Sequence, residues 1–260
     1  MSLPIISINE ANRKKIDISK DIGKSCERYG FFIIKDHNLK ISTIENVRNL
    51  SKEFFSLSLE SKMKYHQVGG AGQRGYTPFG IEKAVNASSP DQKEFWHHGR
   101  SNWKKEYINT VPTNENVSEV ENFDQTLNDL FKDLDFLGKR ILTYISLYLN
   151  LSSDWFDKKI NQGNSILRLI HYPPADKKNN GLRAGPHEDI NLITLLLGTQ
   201  QEGLEILDQN NNWIPIKTNP NIIVCNVGDM LQRLTNKKLI STTHKVVNPS
   251  NESKNYSRYS

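Results

Sequence analysis

The sequence predicts an α+β fold in which an α-rich first half supports a mainly β second half, folded as an antiparallel barrel or jelly roll. Two observations predict this division. Apolar residues recur at helical spacing up to Tyr148, whereas short β-rich runs separated by turn residues fill the chain after Gly163. Many short strands without long helices between them are typical of antiparallel barrels and jelly rolls.

The apolar pattern of the first half predicts strands and helices in alternation. The predicted strands are Leu3–Ile8 and Phe31–Ile34, and the predicted helices span about 17–29 and Thr43–Phe55. The longest pattern runs from Phe123 to Tyr148, with apolar side chains three or four residues apart, and it predicts one amphipathic scaffold helix. Residues 69–80 are rich in glycine and aromatic side chains, which predicts a loop or an edge strand.

The second half is predicted to consist of short strands. These are Ile166–Tyr172, Leu192–Leu197, Leu204–Leu207, Trp213–Ile216, Ile222–Asn226 and Thr242–Val247. We therefore divide the chain into an α-rich N-terminal region (1–115), the scaffold helix with its linker (116–162) and a β core (163–260).

The composition excludes several classes of protein. The chain has 260 residues, of which 36% are hydrophobic and 24% charged, as in ordinary globular proteins. Its 34 basic and 29 acidic residues give a net charge of +5, but the basic residues are dispersed among acids, which argues against nucleic-acid binding. No apolar run is long enough for a membrane span, and no secretory signal is seen. Cys26 and Cys225 are expected to be buried thiols, and the protein is expected to be a cytoplasmic monomer.

Three residues form a candidate metal site. His187 and Asp189 are two residues apart, so in a strand their side chains would point to the same face. His244 lies in a later β-like run and can supply a third ligand from a neighbouring strand. Two histidines and one carboxylate form the facial triad of non-haem Fe(II) oxygenases, which leaves positions open for an oxo acid and O₂.

Arg258 and Ser260 form a candidate anion site by the same strand alternation. A guanidinium beside a hydroxyl suits the far carboxylate of a small dicarboxylate, since arginine can donate two charge-assisted hydrogen bonds.

The series His187-x-Asp189, His244 and Arg258-x-Ser260 resembles the 2-oxoglutarate/Fe(II)-dependent dioxygenases of the isopenicillin N synthase-like superfamily. The segments IHYPP (170–174) and STTHKVVNP (241–249) support this resemblance. The segments RGYTPFGIE (74–82) and DQKEFWHHGR (91–100) are similar to a bacterial branch that includes ethylene-forming enzymes. The resemblance implies a double-stranded β-helix, or jelly-roll, core behind an α-rich N-terminal region.

The resemblance also implies roles for individual residues. His187, Asp189 and His244 would hold Fe(II), while Arg258, Ser260 and Tyr172 would bind the distal carboxylate of 2-oxoglutarate. Arg168 is implied to contact the substrate or to form a structural salt bridge. His97 and His98 are adjacent strand residues that face opposite ways, so we do not expect them to share a metal.

The implied reaction couples decarboxylation of 2-oxoglutarate, to succinate and CO₂, with oxidation of a small-molecule substrate by O₂. Three alternatives stay open: an L-arginine-dependent ethylene-forming enzyme, an isopenicillin N synthase-type oxidase that does not use 2-oxoglutarate, and a non-catalytic metal-binding barrel fragment. Family members usually continue past the position of Ser260. The core is therefore expected to be incomplete at its C-terminus, and the strand that carries Arg258 is expected to fray.

Overall fold

The computed structural model describes residues 3–14, 17–82, 90–174, 182–199, 203–248 and 256–260. Its helices are α1 (Ile8–Lys14), α2 (Ser19–Arg28), α3 (Ile41–Ser56), α4 (Leu59–Met63), α5 (Phe123–Tyr148), α6 (Asp157–Ile160) and α7 (Asp229–Leu234). Its strands are β1 (Ile5–Ser7), β2 (Phe31–Lys35), β3 (Gly75–Thr77), β4 (Glu94–Gly99), β5 (Ile166–Tyr172), β6 (Ala184–His187), β7 (Ile193–Leu197), β8 (Leu204–Leu207), β9 (Trp213–Pro215), β10 (Ile222–Val227), β11 (His244–Val246) and β12 (Arg258–Tyr259).

Within these ranges the strands form three four-stranded sheets. Their strand orders are β1-β2-β10-β7, β6-β11-β8-β9 and β12-β5-β4-β3. The strands of the second half pair antiparallel, as predicted. Strands β2 and β4 come from the first half and pair with β10 and β5 of the second half. The three-part division of the chain stays a prediction.

Strand β2 shows how the layers pack. Phe32 and Ile34 belong to a buried apolar cluster with α2 and α5, whereas Phe31 and Ile33 belong to another with β8 and β10. Since successive side chains of a strand point to opposite faces, one face of this sheet packs on helices and the other on the sheet that contains β8. Both faces are covered, which explains why β2 is a continuous apolar run rather than an alternating one.

Helix α5 has the bounds that the apolar pattern predicts, Phe123 to Tyr148. Its first half contributes Leu127 and Leu130 to a cluster with α3 and the β3–β4–β5 sheet. Its second half contributes Ile141 and Ile145 to the cluster with α2 and β2. The helix therefore supports two sheets, as the predicted scaffold role requires.

The first strand is shorter than the predicted Leu3–Ile8, and its predicted last residue is wrong. Strand β1 covers only Ile5–Ser7, and α1 begins at Ile8. The Ser7 hydroxyl accepts a hydrogen bond from the backbone N–H of Glu10 at 3.1 Å, so it caps the first turn of α1. The Ser-x-x-Glu spacing is a recognised helix-start signal, and it accounts for the shorter strand.

Residues 69–80 contain the edge strand β3, in agreement with the prediction. Gly75 has a φ of +72°, and a Cβ at this position would lie 2.2 Å from the Tyr65 carbonyl oxygen. Only glycine fits such a close approach with a left-handed backbone. Strand β4, beside β3, is buried along its whole length yet carries a glutamate and two histidines. Because these residues are polar, the apolar pattern of the sequence does not predict this strand.

The last residues of the chain are paired in the structure, and the expectations of fraying and of an incomplete core stay predictions. Strand β12 pairs with β5, opposing Arg258 to Tyr172, and Ser260 and Ile170 exchange two backbone hydrogen bonds of 2.7 and 3.0 Å. The Arg258 side chain is buried, with 1% exposure. The two backbone hydrogen bonds continue the pairing of β12 with β5 to the last residue of the sequence.

Two further expectations concern the cysteines and the membrane. Cys26 and Cys225 are free and buried, as predicted. Among the described helices, none has the length and apolar character that a membrane span requires.

Candidate metal centre and anion pocket

The structure brings His187, Asp189 and His244 together. Each offers one ligand atom, and these three atoms lie within 4.8 Å of one another. The Nε2 atoms of His187 and His244 lie 3.9 and 3.8 Å from Oδ1 of Asp189. His187 and His244 oppose each other directly in the β6–β11 pair, which places both imidazoles on one face of this sheet.

Backbone carbonyls hold both imidazoles in the tautomer that a metal needs. Nδ1 of His187 lies 2.8 Å from the Gly185 carbonyl oxygen, and Nδ1 of His244 lies 3.2 Å from that of Thr242. Because a carbonyl only accepts, Nδ1 is the protonated nitrogen in each ring. In the neutral form of each ring, the lone pair of Nε2 is therefore directed toward Asp189, an arrangement typical of metal-ligating histidines.

Asp189 reaches the site for a different reason than strand alternation. Strand β6 ends at His187, so Asp189 lies in the following segment and the expectation that both share a strand is wrong. The backbone carbonyl of Asp189 accepts a hydrogen bond from Asp229 N–H at 2.8 Å, which ties this segment to the start of α7. Its Oδ2 accepts hydrogen bonds from Thr194 (2.5 Å) and Asn226 (2.8 Å), which leaves Oδ1 directed at the histidines.

The electrostatics favour the ligand forms of two of these groups. Burial acts to raise the pKa of Asp189, but the neighbouring His244 and the hydrogen bonds from Thr194 and Asn226 outweigh it, so this pKa lies below its ordinary value. Burial lowers the pKa of His244, and Asp189 offsets only part of that shift. An ionised carboxylate and a neutral imidazole are the forms that bind a metal. Two imidazole nitrogens and one carboxylate oxygen fit Fe(II) and leave an open face.

The predicted anion site also assembles. Arg258 and Tyr172 are direct cross-strand partners, and the guanidinium carbon lies 5.8 Å from the centre of the Tyr172 ring. Nε of Arg258 donates to the Ser260 hydroxyl at 3.2 Å, as expected for residues on one strand face. Burial lowers the pKa of Arg258 from its very high ordinary value, and the side chain keeps its positive charge.

The two sites are joined by a small apolar cluster. Ala184 from β6 and Val246 from β11 pack against Tyr172. Val246 is two residues beyond His244, a distance of about 7 Å along a strand. The cluster therefore connects the strands that carry His187 and His244 with the strand that opposes Arg258.

Arg168 forms a salt bridge in this structure. Its guanidinium nitrogens lie 3.0 and 3.3 Å from the two carboxylate oxygens of Glu82, and its Nε donates to Nε2 of His97 at 2.6 Å. Glu82 also pairs with the buried Lys93 at 2.8 Å. The salt bridge is therefore present, while a contact between Arg168 and a substrate stays a prediction.

His97 and His98 do not share a metal site. His97 contacts Arg168 and the Gly72 carbonyl, whereas His98 contacts Asn128 on α5. The two rings face opposite sides of β4, as predicted.

Three residues near the site were not predicted from the sequence. Thr194 and Asn226 hold Asp189, and Arg183 is buried beside Tyr172. A polar residue in the otherwise apolar strand β10 is a usable signal for Asn226. Arg183 could have been noticed as a charge directly before the strand that carries His187.

Comparisons with known proteins agree with this arrangement. Residues 3–117 match the N-terminal model described as "non-haem dioxygenase in morphine synthesis N-terminal", and residues 163–260 match the model of the 2OG-Fe(II) oxygenase superfamily, where 2OG is 2-oxoglutarate. The chain is 31% identical to a 1-aminocyclopropane-1-carboxylate oxidase of Dictyostelium mucoroides, covering 94% of this chain and 77% of that protein.

Two solved structures are similar over almost the whole chain. A Caulobacter crescentus protein assigned to the 2OG-Fe(II) oxygenase family is 41% identical, with a TM-score of 0.89 over 99% of this chain and 84% of that one. A full-length Neurospora crassa protein in complex with alpha-KG, another name for 2-oxoglutarate, is 27% identical, with a TM-score of 0.87 over 99% of this chain and 82% of that one. These relatives favour a 2-oxoglutarate-dependent enzyme over an oxidase without 2-oxoglutarate or a non-catalytic fragment. The chain belongs to the 2OG-Fe(II) oxygenase superfamily, and it is a 2-oxoglutarate- and Fe(II)-dependent oxidoreductase.

Proposed function

We propose that His187, Asp189 and His244 hold the Fe(II) of this oxygenase, and that Arg258, Ser260 and Tyr172 bind the distal carboxylate of 2-oxoglutarate. The observation that carries the proposal is the convergence of two Nε2 lone pairs on Oδ1 of Asp189, within 4.8 Å. The sheets around this site are inferred to form the jelly roll that the resemblance implies.

When bound, Fe(II) and 2-oxoglutarate supply the oxidative decarboxylation that is coupled to oxidation of a small-molecule substrate. The protein contributes fixed geometry. Thr194 and Asn226 keep Oδ1 of Asp189 pointed at the ligand face, and the carbonyls behind both histidines keep Nε2 unprotonated. Arg258 fixes the far end of the co-substrate by charge-assisted hydrogen bonds.

We propose that apolar residues keep water out of the space between the two ends. Ala184, Val246 and Tyr172 are each less than a tenth exposed and pack together as one cluster. A dry path strengthens the attraction between the guanidinium and a carboxylate, because the local dielectric is low. Because these three residues are apolar, we propose that the co-substrate is recognised at its two ends, by the metal and by Arg258.

The substrate is proposed to bind beside Arg168, which forms a salt bridge with Glu82. Arg168 is about one-third exposed at its side chain, so part of the guanidinium is accessible although it pairs with Glu82. We propose that it contacts a polar or anionic group of a small-molecule substrate.

The test is succinate formation from 2-oxoglutarate with Fe(II) and O₂. Asp189→Ala and His244→Ala are expected to reduce succinate to the level of a metal-free control. Glu188→Gln is the matched control, because Glu188 lies between two proposed ligands but bonds to the Thr243 hydroxyl. Succinate formation that persists in Asp189→Ala, or that is lost equally in Glu188→Gln, would contradict the proposed metal ligands.

A second candidate is the L-arginine-dependent formation of ethylene. The observation that favours it is the Glu82 carboxylate, at the end of the RGYTPFGIE segment, which binds a guanidinium in this structure. Succinate and ethylene should be measured together with L-arginine, with 1-aminocyclopropane-1-carboxylate and without added substrate. Succinate without ethylene in every arm would exclude this candidate and leave the main proposal intact.

A further inference from the structure

Arg183, directly before β6, is buried with 1% exposure. Its Nη2 donates to the Tyr256 carbonyl oxygen at 3.2 Å. Its Nε and Nη1 are enclosed and find no acceptor among the described residues. A buried guanidinium whose N–H groups lack acceptors is costly, so this arrangement needs an explanation.

A second guanidinium lies near the same aromatic ring. The central carbons of Arg183 and Arg258 lie 5.9 and 5.8 Å from the centre of the same Tyr172 ring. Burial and then the positive charge of Arg258 lower the pKa of Arg183 to about 10, so both side chains remain charged at neutral pH. Two like charges in a buried pocket repel each other unless an anion lies between or beside them.

Two carboxylates in the described part of the chain, those of Asp91 and Glu82, already have other partners. Asp91 pairs with Lys93 at 2.9 Å and accepts a hydrogen bond from Gly185 N–H. Glu82 pairs with Lys93 and Arg168. Among the described residues, neither carboxylate forms an ion pair with Arg183. The enclosed N–H groups of Arg183 are therefore available to a bound anion.

We infer that Arg183 is a second arginine of the 2-oxoglutarate site and determines its selectivity for a dicarboxylate. The inference rests on the proposed role of Arg258. The distal carboxylate has two oxygens, and the N–H groups of Arg183 that lack an acceptor lie beside the same ring as Arg258. A 2-oxo acid of equal length without the second carboxylate would leave the enclosed N–H groups of Arg183 without an acceptor, and a site of this kind rejects such a ligand strongly.

Calorimetric titration of the Mn(II)-loaded protein tests this without turnover. The two probes are 2-oxoglutarate and 2-oxopentanoate, which has the same carbon chain but no distal carboxylate. Arg183→Met is expected to weaken 2-oxoglutarate binding roughly ten- to a hundredfold, the range for a hydrogen bond to a charged group. Binding of 2-oxopentanoate and of Mn(II) should not weaken, and Arg183→Lys should recover part of the loss.

Arg74→Met is the matched control. Arg74 is also 1% exposed and also has a buried Nε without an acceptor among the described residues, but it bonds to Asn164 and Gln73 rather than lying beside Tyr172. Its replacement should leave the ratio of the two affinities unchanged. If Arg183→Met weakens both probes equally, its role is structural and the inference is wrong.

The remaining outcomes separate the two proposals. Unchanged 2-oxoglutarate binding in Arg183→Met, with a large loss in Arg258→Met, would overturn the role of Arg183 and leave the proposed site. Unchanged binding in both variants would overturn the proposed site as well.

Discussion

Asn226 and Thr194 are direct cross-strand partners in the β10–β7 pair, and both side chains donate a hydrogen bond to the same oxygen, Oδ2 of Asp189. Thr194 in turn accepts a hydrogen bond from Asn191 at 2.8 Å. The carboxylate is thereby fixed by a neighbouring sheet rather than by the strand that carries His187. The orientation of the proposed iron ligand depends on this cross-strand pair.

Replacing Asn226 should therefore weaken metal binding without removing a ligand. We expect Asn226→Ala to lower the affinity for Fe(II) about ten- to a hundredfold, because loss of a group that orients a ligand typically has this effect. Asn221→Ala, at an exposed position just before β10, is the control and should bind metal like the unaltered protein. Equal affinities in both variants would show that Asp189 is oriented without Asn226.

Replacing Arg258 should weaken 2-oxoglutarate binding and spare the metal. Removing one partner of a buried charge pair costs about 2–5 kcal/mol, so Arg258→Gln should raise the Kd for 2-oxoglutarate by a factor between about thirty and several thousand. Tyr172→Phe should cost less, about 1.5–3 kcal/mol at most. Equal losses in the two variants, measured by calorimetry, would place the distal carboxylate elsewhere.

Glu94 should be important for stability. This buried carboxylate accepts hydrogen bonds from Lys62 at 2.8 Å, from His171 at 2.7 Å and from the Tyr76 hydroxyl. Glu94→Ala leaves the Lys62 ammonium buried and uncompensated, so we expect the free energy of unfolding to fall by about 3–5 kcal/mol in urea titrations. The double variant Glu94→Leu with Lys62→Met should regain part of that loss.

The control for this prediction is a salt bridge at the surface. Lys139 and Asp157 form an exposed pair, 2.7 Å apart, and Asp157→Ala should change the free energy of unfolding by less than about 1 kcal/mol. A loss in Glu94→Ala no larger than in Asp157→Ala would contradict the structural role of the buried pair.

His97 should make the protein less stable at acid pH. Burial and then the positive charge of Arg168 lower the pKa of His97 to about 3 in the folded protein, whereas an unfolded histidine titrates near 6.5. Between these values the unfolded chain binds more protons, so stability rises with pH and is lost as pH falls.

The check compares the unaltered protein with His97→Gln, which cannot titrate but retains a hydrogen-bonding side chain. On moving from about pH 7.5 to about pH 5, the unaltered protein should lose about 2 kcal/mol more of its free energy of unfolding than the variant. Parallel pH curves for the two proteins would show that His97 does not remain neutral.

The sequence predicted the elements whose apolar spacing is unbroken. Helix α5 has the expected bounds because its core face repeats regularly over 26 residues. Strand β4 was not identified from apolar spacing, because it contains buried polar side chains whose partners are distant in sequence: Glu94 pairs with Lys62, and His98 bonds to Asn128. Such pairings exist only after folding, so no local pattern reports them.

The residues of the candidate site were also predicted only in part. The grouping of His187, Asp189 and His244 was predictable, because their spacing and their chemistry both indicate a shared metal site. The reason given for Asp189 was wrong, since it lies beyond the end of β6 and is positioned by Thr194 and Asn226. Arg183 was missed because its significance depends on its distance to Arg258 and Tyr172 in space, which the sequence does not contain.

The central claim is that one Fe(II) binds between His187, Asp189 and His244, and equilibrium dialysis against Fe(II) without oxygen tests it most directly. The unaltered chain should bind one Fe(II) per molecule, and the triple variant His187→Ala, Asp189→Ala and His244→Ala should bind none above background. Circular dichroism would establish that the triple variant is folded. A folded triple variant that still binds one Fe(II) per chain would contradict the account.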